Sequence, residues 1–359
     1  MVFASTRTQT SPNGKEPEIA TDRLWWHDDL LEAHFPEPEV LIDGILLAGT
    51  AANWHGPAGV GKTWAALEAA RAIAGGLPWL GKFETVRKRV LVIDQESNLG
   101  KLQERLAMLN ASRPLPRGSP LGSVVTSGLF VDDDPVDPLG GFAKLRGYIE
   151  QASPDVVVLD SFTRAHRSDE NSAGSMADVN LRIRWLMDEF GIAVILIDHA
   201  NKMGALGGAA DPSTRLRGST EKLAFVDSAL FFERSKSNPG SIAVTTVKSR
   251  WMESPQPFTI ELRRDDRGLS LAYGGERSDD ETSSPGEILT WIHSIKHETG
   301  SEDTATVSAI AGAMGLAEST TRRHLNKLEK AGLVCRRQRP KPPGANGRPP
   351  DCYDVRSPK

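Results

Sequence analysis

The stretch that decides the fold is an eight-residue run near the start of the chain, Gly56-Pro57-Ala58-Gly59-Val60-Gly61-Lys62-Thr63. It matches the phosphate-binding pattern G-x-x-x-x-G-K-[ST] at every fixed position. The glycines let successive backbone N–H groups converge on an anion, and the following helix adds the positive end of its dipole. We therefore expect this loop to bind ATP, with the Lys62 ammonium at the β- and γ-phosphates and the Thr63 hydroxyl as a ligand of Mg²⁺.

The sequence around this loop predicts an α/β fold. An apolar run, 40–47, precedes the loop, and a helix-compatible run, 64–74, follows it. Further on, apolar runs alternate with helical ones; the predicted strands are 88–96, 154–160 and 192–199, and the predicted helices are 102–109, 139–151 and 176–190. Continuously apolar strands are typical of a parallel sheet covered on both faces. We expect a doubly wound, mainly parallel sheet whose first strand lies within 44–53.

Two later segments, 241–251 and 256–262, alternate between apolar and polar residues. This pattern predicts antiparallel strands added to one edge of the sheet.

Polar residues end three of the predicted strands. Because the carboxyl ends of parallel strands meet at the edge that carries the phosphate loop, Asp160 is expected to hold Mg²⁺. Glu96 is the preferred candidate for the base that deprotonates the attacking water, and Asp94 competes for that role. His199 ends the next strand, where it would report the state of the nucleotide or serve as a structural histidine.

The C-terminal part has a different pattern. Three helix-compatible runs, 286–298, 307–314 and 318–330, precede two short strand-like runs, and this order predicts a winged helix-turn-helix. From Thr304 onwards there are 11 Lys and Arg residues against 4 Asp and Glu, a net charge of +7 that leaves −11 on the remainder. A basic excess favours duplex DNA as partner, although many winged helices bind proteins instead.

In the predicted recognition helix, Leu325, Leu328 and the following Leu333 are expected to face inwards. Thr321, Arg322 and His324 are then the candidates for contact with the major groove.

These patterns predict a leader without fixed structure at 1–23, an ATPase domain at 24–275, a linker at 276–284 and a winged-helix domain at 285–359. No apolar run approaches the length of about 20 residues that a membrane span needs, so no membrane association is expected. We expect a cytoplasmic protein in which Cys335 and Cys352 are reduced thiols, with a pairing across two strands as the alternative.

Between 41 and 271 the chain resembles the RecA-like ATPases, and most of all the RepA branch of the hexameric replicative helicases, with KaiC and DnaB as more distant relatives. The motifs that carry the resemblance are the phosphate loop, 93–96 (IDQE), 157–161 (VVLDS) and 197–202 (IDHANK). The resemblance implies that Glu96 is the catalytic base, that Asp160 is the metal-binding aspartate and that His199 is the polar residue that ends the fourth strand.

The same resemblance extends to a basic pair. Lys248 and Arg250 are similar to the Lys-x-Arg pair that KaiC-like enzymes insert into the nucleotide site of the neighbouring subunit, which implies a homo-oligomer, with a hexamer as the reference form. An edge strand with solvated basic residues is the alternative.

Two loops, 167–174 and 202–217, follow strands that carry candidate site residues. Related ATPases pass single-stranded nucleic acid along loops at these positions, so Lys202, Arg215 and Arg217 are candidates for phosphate contacts. Alternatively, the segment 215–220 contacts a neighbouring subunit.

Together these features predict an ATP hydrolase that depends on DNA and acts in replication or recombination, with a RepA-like helicase or helicase loader as the specific form. An ATP-switched DNA-binding regulator and a RecA-like recombination mediator are the alternatives.

Overall fold

The computed structural model describes residues 24–170, 172–199, 219–235, 240–264, 266, 268–277, 285–299, 305–314, 316, 318–338 and 351–355. The predicted leader and the candidate residues Lys202, Arg215 and Arg217 lie outside this part of the chain. The chain divides into two compact units between Glu39 and Val40. The first unit contains helix α1 (His27–Glu32), none of whose residues is buried.

The second unit opens with a small antiparallel hairpin of β1 (Val40–Ile42) and β2 (Leu46–Leu47). The apolar run before the phosphate loop is this hairpin, and the first strand of the main sheet is β3 (Ala51–Gly56). The strand therefore starts later than predicted. Gly44 and Gly49 adopt positive φ angles of 66° and 70°, and turns at these two positions interrupt the extended backbone.

The main sheet has nine strands among the described residues. Besides β3 they are β4 (Val90–Asp94), β5 (Leu121–Val125), β6 (Val156–Asp160), β7 (Ala193–His199), β8 (Ser228–Arg234), β9 (Ser241–Ser249), β10 (Phe258–Arg264) and β11 (Leu269–Glu276). Their order is β11-β10-β9-β8-β3-β7-β6-β4-β5. The six strands from β8 to β5 run parallel, and β9, β10 and β11 are antiparallel additions at one edge.

Helices cover both faces of this sheet. They are α2 (Lys62–Gly75), α3 (Leu99–Ser112), α4 (Gly141–Ala152), α5 (Ala173–Phe190) and α6 (Ser219–Phe225). Successive side chains of a strand point to opposite faces, so Trp54 packs in one apolar layer and Ala51 in the other. The Trp54 ring stacks on Trp79 with 5.0 Å between the ring centroids. The predicted doubly wound, mainly parallel fold with antiparallel edge strands is confirmed.

The C-terminal part contains α7 (Pro285–Thr299), α8 (Val307–Met314) and α9 (Glu318–Lys330), followed by an antiparallel hairpin of β12 (Val334–Gln338) and β13 (Asp351–Val355). Its apolar cluster is separate from those of the main sheet and includes Ile288, Ile310, Leu325 and Tyr353. Three helices and a hairpin around their own core confirm the predicted winged-helix fold.

The two cysteines lie on this hairpin and are not joined by a disulfide. Cys335 is opposite Asp354, and Cys352 is opposite Arg337, so the two sulfur-bearing residues do not face each other across the strands. None of the described helices combines the length and the apolar character that crossing a membrane requires.

Candidate functional site at the carboxyl edge of the parallel strands

The phosphate loop connects the end of β3 to the start of α2, and glycine is required in its backbone. Gly61, the residue just before α2, has a φ of 113°, and a Cβ there would lie 2.6 Å from Ile242 Cδ1. A Cβ on Gly56 would lie 2.1 Å from the carbonyl oxygen of Phe232. The fold therefore excludes side chains at two of the pattern's fixed positions, and the backbone of the loop is free to surround an anion.

Lys62 is buried within the loop. Its Nζ donates hydrogen bonds to the carbonyl oxygens of Gly56, at 2.7 Å, and Pro57, at 2.9 Å. Burial lowers the pKa of Lys62 to about 8, and the carboxylates of Asp160, Asp198 and Glu96 offset part of that effect. Among the described residues no carboxylate is paired directly with this ammonium group, which lies where the sequence predicts the β- and γ-phosphates.

Asp160 ends β6 and is buried. Burial raises its pKa to about 6, while a hydrogen bond from the Thr63 side chain lowers it and the neighbouring Glu96 and Asp94 raise it further. The two predicted Mg²⁺ ligands, Thr63 and Asp160, are thus in contact. Hydroxyl and carboxylate oxygens are the donors that Mg²⁺ prefers.

In the described part of the chain, no group of three or more His, Cys, Asp or Glu side chains is arranged to hold a metal ion alone. An ion at Thr63 and Asp160 would therefore complete its shell with phosphate and water oxygens, which suits the preference of Mg²⁺ for retaining water and substrate phosphates. Thr63 and Asp160 therefore fit a Mg²⁺ ion that takes its other ligands from phosphate and water.

The two competing carboxylates at the end of β4 have different surroundings. Asp94 Oδ1 accepts the backbone N–H groups of Glu96, at 2.9 Å, and Ser97, at 2.8 Å, so Asp94 stabilises the turn itself. Glu96 Oε1 accepts the Ser161 hydroxyl at 2.6 Å and lies 3.1 Å from His199 Nε2. The geometry therefore favours Glu96 as the carboxylate that is available to a water molecule.

The hydrogen bond from His199 is the main reason why the pKa of Glu96 falls to about 2; burial opposes it, and Ser161 and Arg164 lower the pKa further. Glu96 is therefore ionised at neutral pH. Ser161 follows Asp160 directly, across a cis peptide bond, and Arg164 lies 3.6 Å from Glu96 Oε1. The sequence analysis gave neither residue a role, although Ser161 lies within the motif 157–161 and both follow the end of β6.

The phosphate loop follows the carboxyl end of β3, whereas Lys248 and Arg250 lie beside the amino ends of β3 and β8. Lys248 pairs with Ala229 near the start of β8, and Arg250 Nη1 donates to Asp227 Oδ1 at 3.0 Å. The other oxygen of Asp227 accepts the backbone N–H of Ala51, the first residue of β3, at 3.1 Å. The six residues of β3, about 17 Å of strand, therefore separate this edge from Gly56.

The recognition helix α9 differs from the sequence-based assignment. Thr321 and His324 are buried on the same side as Leu325 and Leu328, so the prediction that these two polar residues face the major groove is wrong. Positions 321, 325 and 328 follow the i, i+4, i+7 spacing of one helix face, and His324 lies four residues before Leu328. Leu333, predicted to face inwards, is 45% exposed.

The exposed side of α9 has a different set of residues. Arg322 is exposed and pairs with Glu318 at 3.0 Å, and Arg323 and Asn326 are exposed beside it. The sequence assignment missed Arg323 and Asn326. These residue types hydrogen-bond to guanine and adenine edges in the major groove.

The described part of the loop that follows β6 contacts the segment between β5 and α4. The Arg167 guanidinium lies 3.8 Å from the centre of the Phe130 ring and 2.5 Å from Asp133 Oδ1. The Arg167 backbone N–H donates to Asp132. These contacts hold the Arg167 side chain against the segment that precedes α4.

Comparison with known proteins gives three similarities. The family model described as AAA domain matches residues 15–205, and the model described as bacterial regulatory protein, arsR family, matches residues 301–335. A solved structure, a KaiC-like protein from the hyperthermophilic archaeon Pyrococcus horikoshii, is 15% identical in sequence. The match covers 64% of this chain and 93% of that one, with a TM-score of 0.42.

The arsR-type match spans the whole of α8 and α9, the region where the structure has its helix-turn-helix. The AAA match spans the phosphate loop, Asp94 and Glu96 at the end of β4, Asp160 and His199, and it covers more than half of the 359 residues. By its phosphate loop, its strand-end carboxylates and this match, the chain belongs to the AAA domain family.

Proposed function

We propose that this protein is a DNA-dependent ATPase that couples ATP hydrolysis at the phosphate loop to duplex DNA binding by its C-terminal helices. The observation that carries the proposal is the gathering of Lys62, Asp160 and Glu96 at one edge of a parallel sheet. DNA binding, the other part of the proposal, is supported by the exposed Arg322 and Arg323 on α9 of the same chain.

The chemistry follows from the contacts at that edge. Lys62 exchanges its two loop carbonyls for phosphate oxygens when ATP binds, because a charge-assisted bond to phosphate is stronger than a bond to a neutral carbonyl. Thr63 and Asp160 would hold Mg²⁺, which when bound would neutralise charge on the phosphates. Glu96, kept ionised by His199 and Ser161, orients the attacking water and takes its proton.

His199 is proposed as the sensor of the γ-phosphate. Its Nε2 is 3.1 Å from Glu96 Oε1, and its side chain is about one-third exposed, so it can respond to a ligand without a change of fold. A change in the His199–Glu96 contact would alter both the base and the strand end to which His199 belongs.

Lys248 and Arg250 are proposed to act on the nucleotide of a neighbouring subunit. They lie a full strand length from the phosphate loop of their own chain, so catalysis by these cations requires an oligomer. A cation supplied in this way typically accelerates phosphoryl transfer by about 10³–10⁵. In the single chain the pair binds Asp227 and the end of α6, which supports a defined position rather than a merely solvated one.

The more specific proposal is a RepA-like helicase or helicase loader that forms a homo-oligomer, such as a hexamer. Its support is the order of the four sequence motifs. In this proposal single-stranded DNA contacts Lys202, Arg215 and Arg217, and the domains are those predicted from the sequence, an ATPase at 24–275 and a winged helix at 285–359. The separate apolar cluster of the C-terminal part supports that division.

Arg322, Arg323 and Asn326 form the proposed surface for duplex DNA. Arginine neutralises phosphates and releases counterions, so binding through this surface should weaken with salt.

The test is ATP hydrolysis by the purified protein with no DNA, with single-stranded DNA and with duplex DNA. Stimulation by either DNA supports the proposal, and an unchanged rate with both overturns it. Lys62→Ala is the control for nucleotide binding. An unwinding assay on a forked duplex then separates a helicase, which displaces the strand, from a loader, which does not.

A second candidate is an ATP-switched DNA-binding regulator. The observation that favours it is the match of residues 301–335 to a family of bacterial regulatory proteins. Slow hydrolysis together with tight, sequence-specific duplex binding and no strand separation would support this candidate over the first.

A further inference from the structure

A buried lysine on α6 joins two strand-end segments. Lys222 is 1% exposed, and its Nζ lies 2.7 Å from Asp198 Oδ2 and 3.1 Å from Glu170 Oε1. The ammonium also lies 5.2 Å from the centre of the Phe162 ring. A charge this deeply buried is tolerated only when it is paired and hydrogen-bonded, so these contacts fix the position of α6.

Asp198 connects this lysine to the candidate sensor. It is the residue before His199, and its Oδ1 accepts the His199 backbone N–H at 2.8 Å and the Thr163 hydroxyl at 2.8 Å. Burial alone would raise the pKa of Asp198, but Lys222 and these hydrogen bonds lower it, so the carboxylate is ionised. His199 in turn contacts Glu96. His199 therefore contacts the candidate catalytic base Glu96, while the residue before it, Asp198, contacts Lys222 on α6.

The other end of α6 holds the basic pair at the opposite sheet edge. Lys248 Nζ donates to the carbonyl oxygens of Leu223 and Ala224, and Arg250 Nη2 donates to that of Ala224 at 3.2 Å. These carbonyls belong to the two residues that follow Lys222. One short helix is thus bound to the γ-phosphate edge on one side and to the proposed trans-acting cations on the other.

We propose that Lys222 is a positioning residue: through α6 it couples nucleotide binding at a subunit's own phosphate loop to the placement of Lys248 and Arg250 toward the neighbouring subunit. This inference rests on the proposed function, because it requires an ATPase that is completed in trans. A displacement of His199 by the γ-phosphate would pass through Asp198 to Lys222, and α6 would move the carbonyls that hold the two cations.

The test uses oligomers of two kinds of subunit, co-expressed with different tags. Glu96→Gln subunits bind nucleotide, have intact cations and cannot hydrolyse ATP. Arg250→Ala subunits have an intact site and no trans-acting arginine. Mixing the two should restore hydrolysis at Arg250→Ala sites that adjoin a Glu96→Gln subunit.

The variant under test adds Lys222→Met and Asp198→Asn to the Glu96→Gln subunit. The two changes together remove the Lys222–Asp198 ion pair, and asparagine keeps the Oδ1 acceptor for His199 and Thr163. We expect hydrolysis by the mixture to fall about tenfold, the size of a typical coupling between sites. The nucleotide affinity of the triple variant serves as the control and should match that of Glu96→Gln. Hydrolysis is compared at a temperature at which both variants are folded, because the change takes the Lys222 ammonium away from the buried Glu170.

If the mixture with the triple variant is as active as the parent mixture, Lys222 is only structural and the coupling is overturned. If the parent mixture shows no recovery, the trans role of Arg250 is wrong and the coupling falls with it. These two failures are distinguished by which mixture is inactive.

Hydrogen exchange on the unmodified protein gives a measurement that does not depend on the folding of a variant. A non-hydrolysable ATP analogue should change amide exchange in both 219–225 and 247–250. A change confined to the phosphate loop and His199 would overturn the proposal.

Discussion

Replacing Lys62 by methionine is expected to make the nucleotide-free protein more stable. Burial lowers the pKa of Lys62 from 10.5 to about 8, so the fold disfavours the charged form. Below pH 8 Lys62 is protonated in both the folded and the unfolded chain. Burying the charged ammonium then destabilises the folded state by the full free energy that corresponds to the pKa shift, about 3 kcal/mol. Losing the hydrogen bonds to Gly56 and Pro57 offsets about half of this, which leaves a net gain of about 1–2 kcal/mol.

The sign of the pH dependence follows from linkage. Between pH 8 and 10.5 the unfolded chain holds more protons at this position than the folded chain does, so the wild type gains stability as the pH rises. The methionine variant lacks this gain. The methionine variant should therefore be the more stable protein near pH 7, and by pH 10 this advantage should be lost or reversed, because the wild type regains about 2.5 kcal/mol over that range.

The assay is urea unfolding followed by tryptophan fluorescence, since Trp54 and Trp79 are buried in the layer that α2 covers. Lys144→Met, at an exposed position on α4, is the matched control and should change stability by less than about 0.5 kcal/mol. With Mg²⁺ and ATP at 100 times the dissociation constant, the wild type should gain about 2.7 kcal/mol and the variant nothing. A variant that is less stable than the wild type without nucleotide at pH 7 would refute the reasoning.

Three further predictions concern the remaining site residues. Glu96→Gln should lower turnover by about 10²–10⁴ and leave nucleotide affinity unchanged, as measured by single-turnover kinetics and equilibrium binding; retained turnover would transfer the base to Asp94. Because His199 and Ser161 help to hold the pKa of Glu96 at about 2, the pH profile of kcat should show no acid limb from this carboxylate between about pH 5 and 8; a limb there that shifts in His199→Gln would contradict the assignment. Arg322→Ala with Arg323→Ala should weaken duplex binding and reduce the salt slope by about 1 for each lost phosphate contact, while Arg263→Ala, an exposed arginine on β10, should change neither; equal effects at the two places would argue against α9 as the DNA surface.

The sequence predicted which residues meet at the carboxyl ends of the parallel strands, because the signals for them are local. The phosphate loop is a contiguous pattern, and Asp160 and His199 end continuously apolar runs whose parallel arrangement follows from the alternation with helices. Asp94 and Glu96 could not be separated by sequence, because the difference lies in which one satisfies the backbone of its own turn.

The sequence analysis missed features that have no regular pattern of apolar and polar residues. Strand β5 contains Gly122 and Ser123 and is only partly buried, so it has no apolar run to detect. On α9 the choice of exposed residues followed polarity rather than helical phase, which placed Thr321 and His324 on the wrong side. Lys222 had no sequence signal, since its two carboxylate partners are 24 and 52 residues away.

A crystal structure with Mg²⁺ and a non-hydrolysable ATP analogue tests the central claim most directly. The account predicts that Lys62 Nζ leaves the carbonyls of Gly56 and Pro57 for the phosphates, with Mg²⁺ on Thr63 and Asp160. It also predicts that Glu96 lies within the reach of one bridging water from the γ-phosphate. A nucleotide bound elsewhere, or a γ-phosphate too far from Glu96 for one water to bridge, would contradict it.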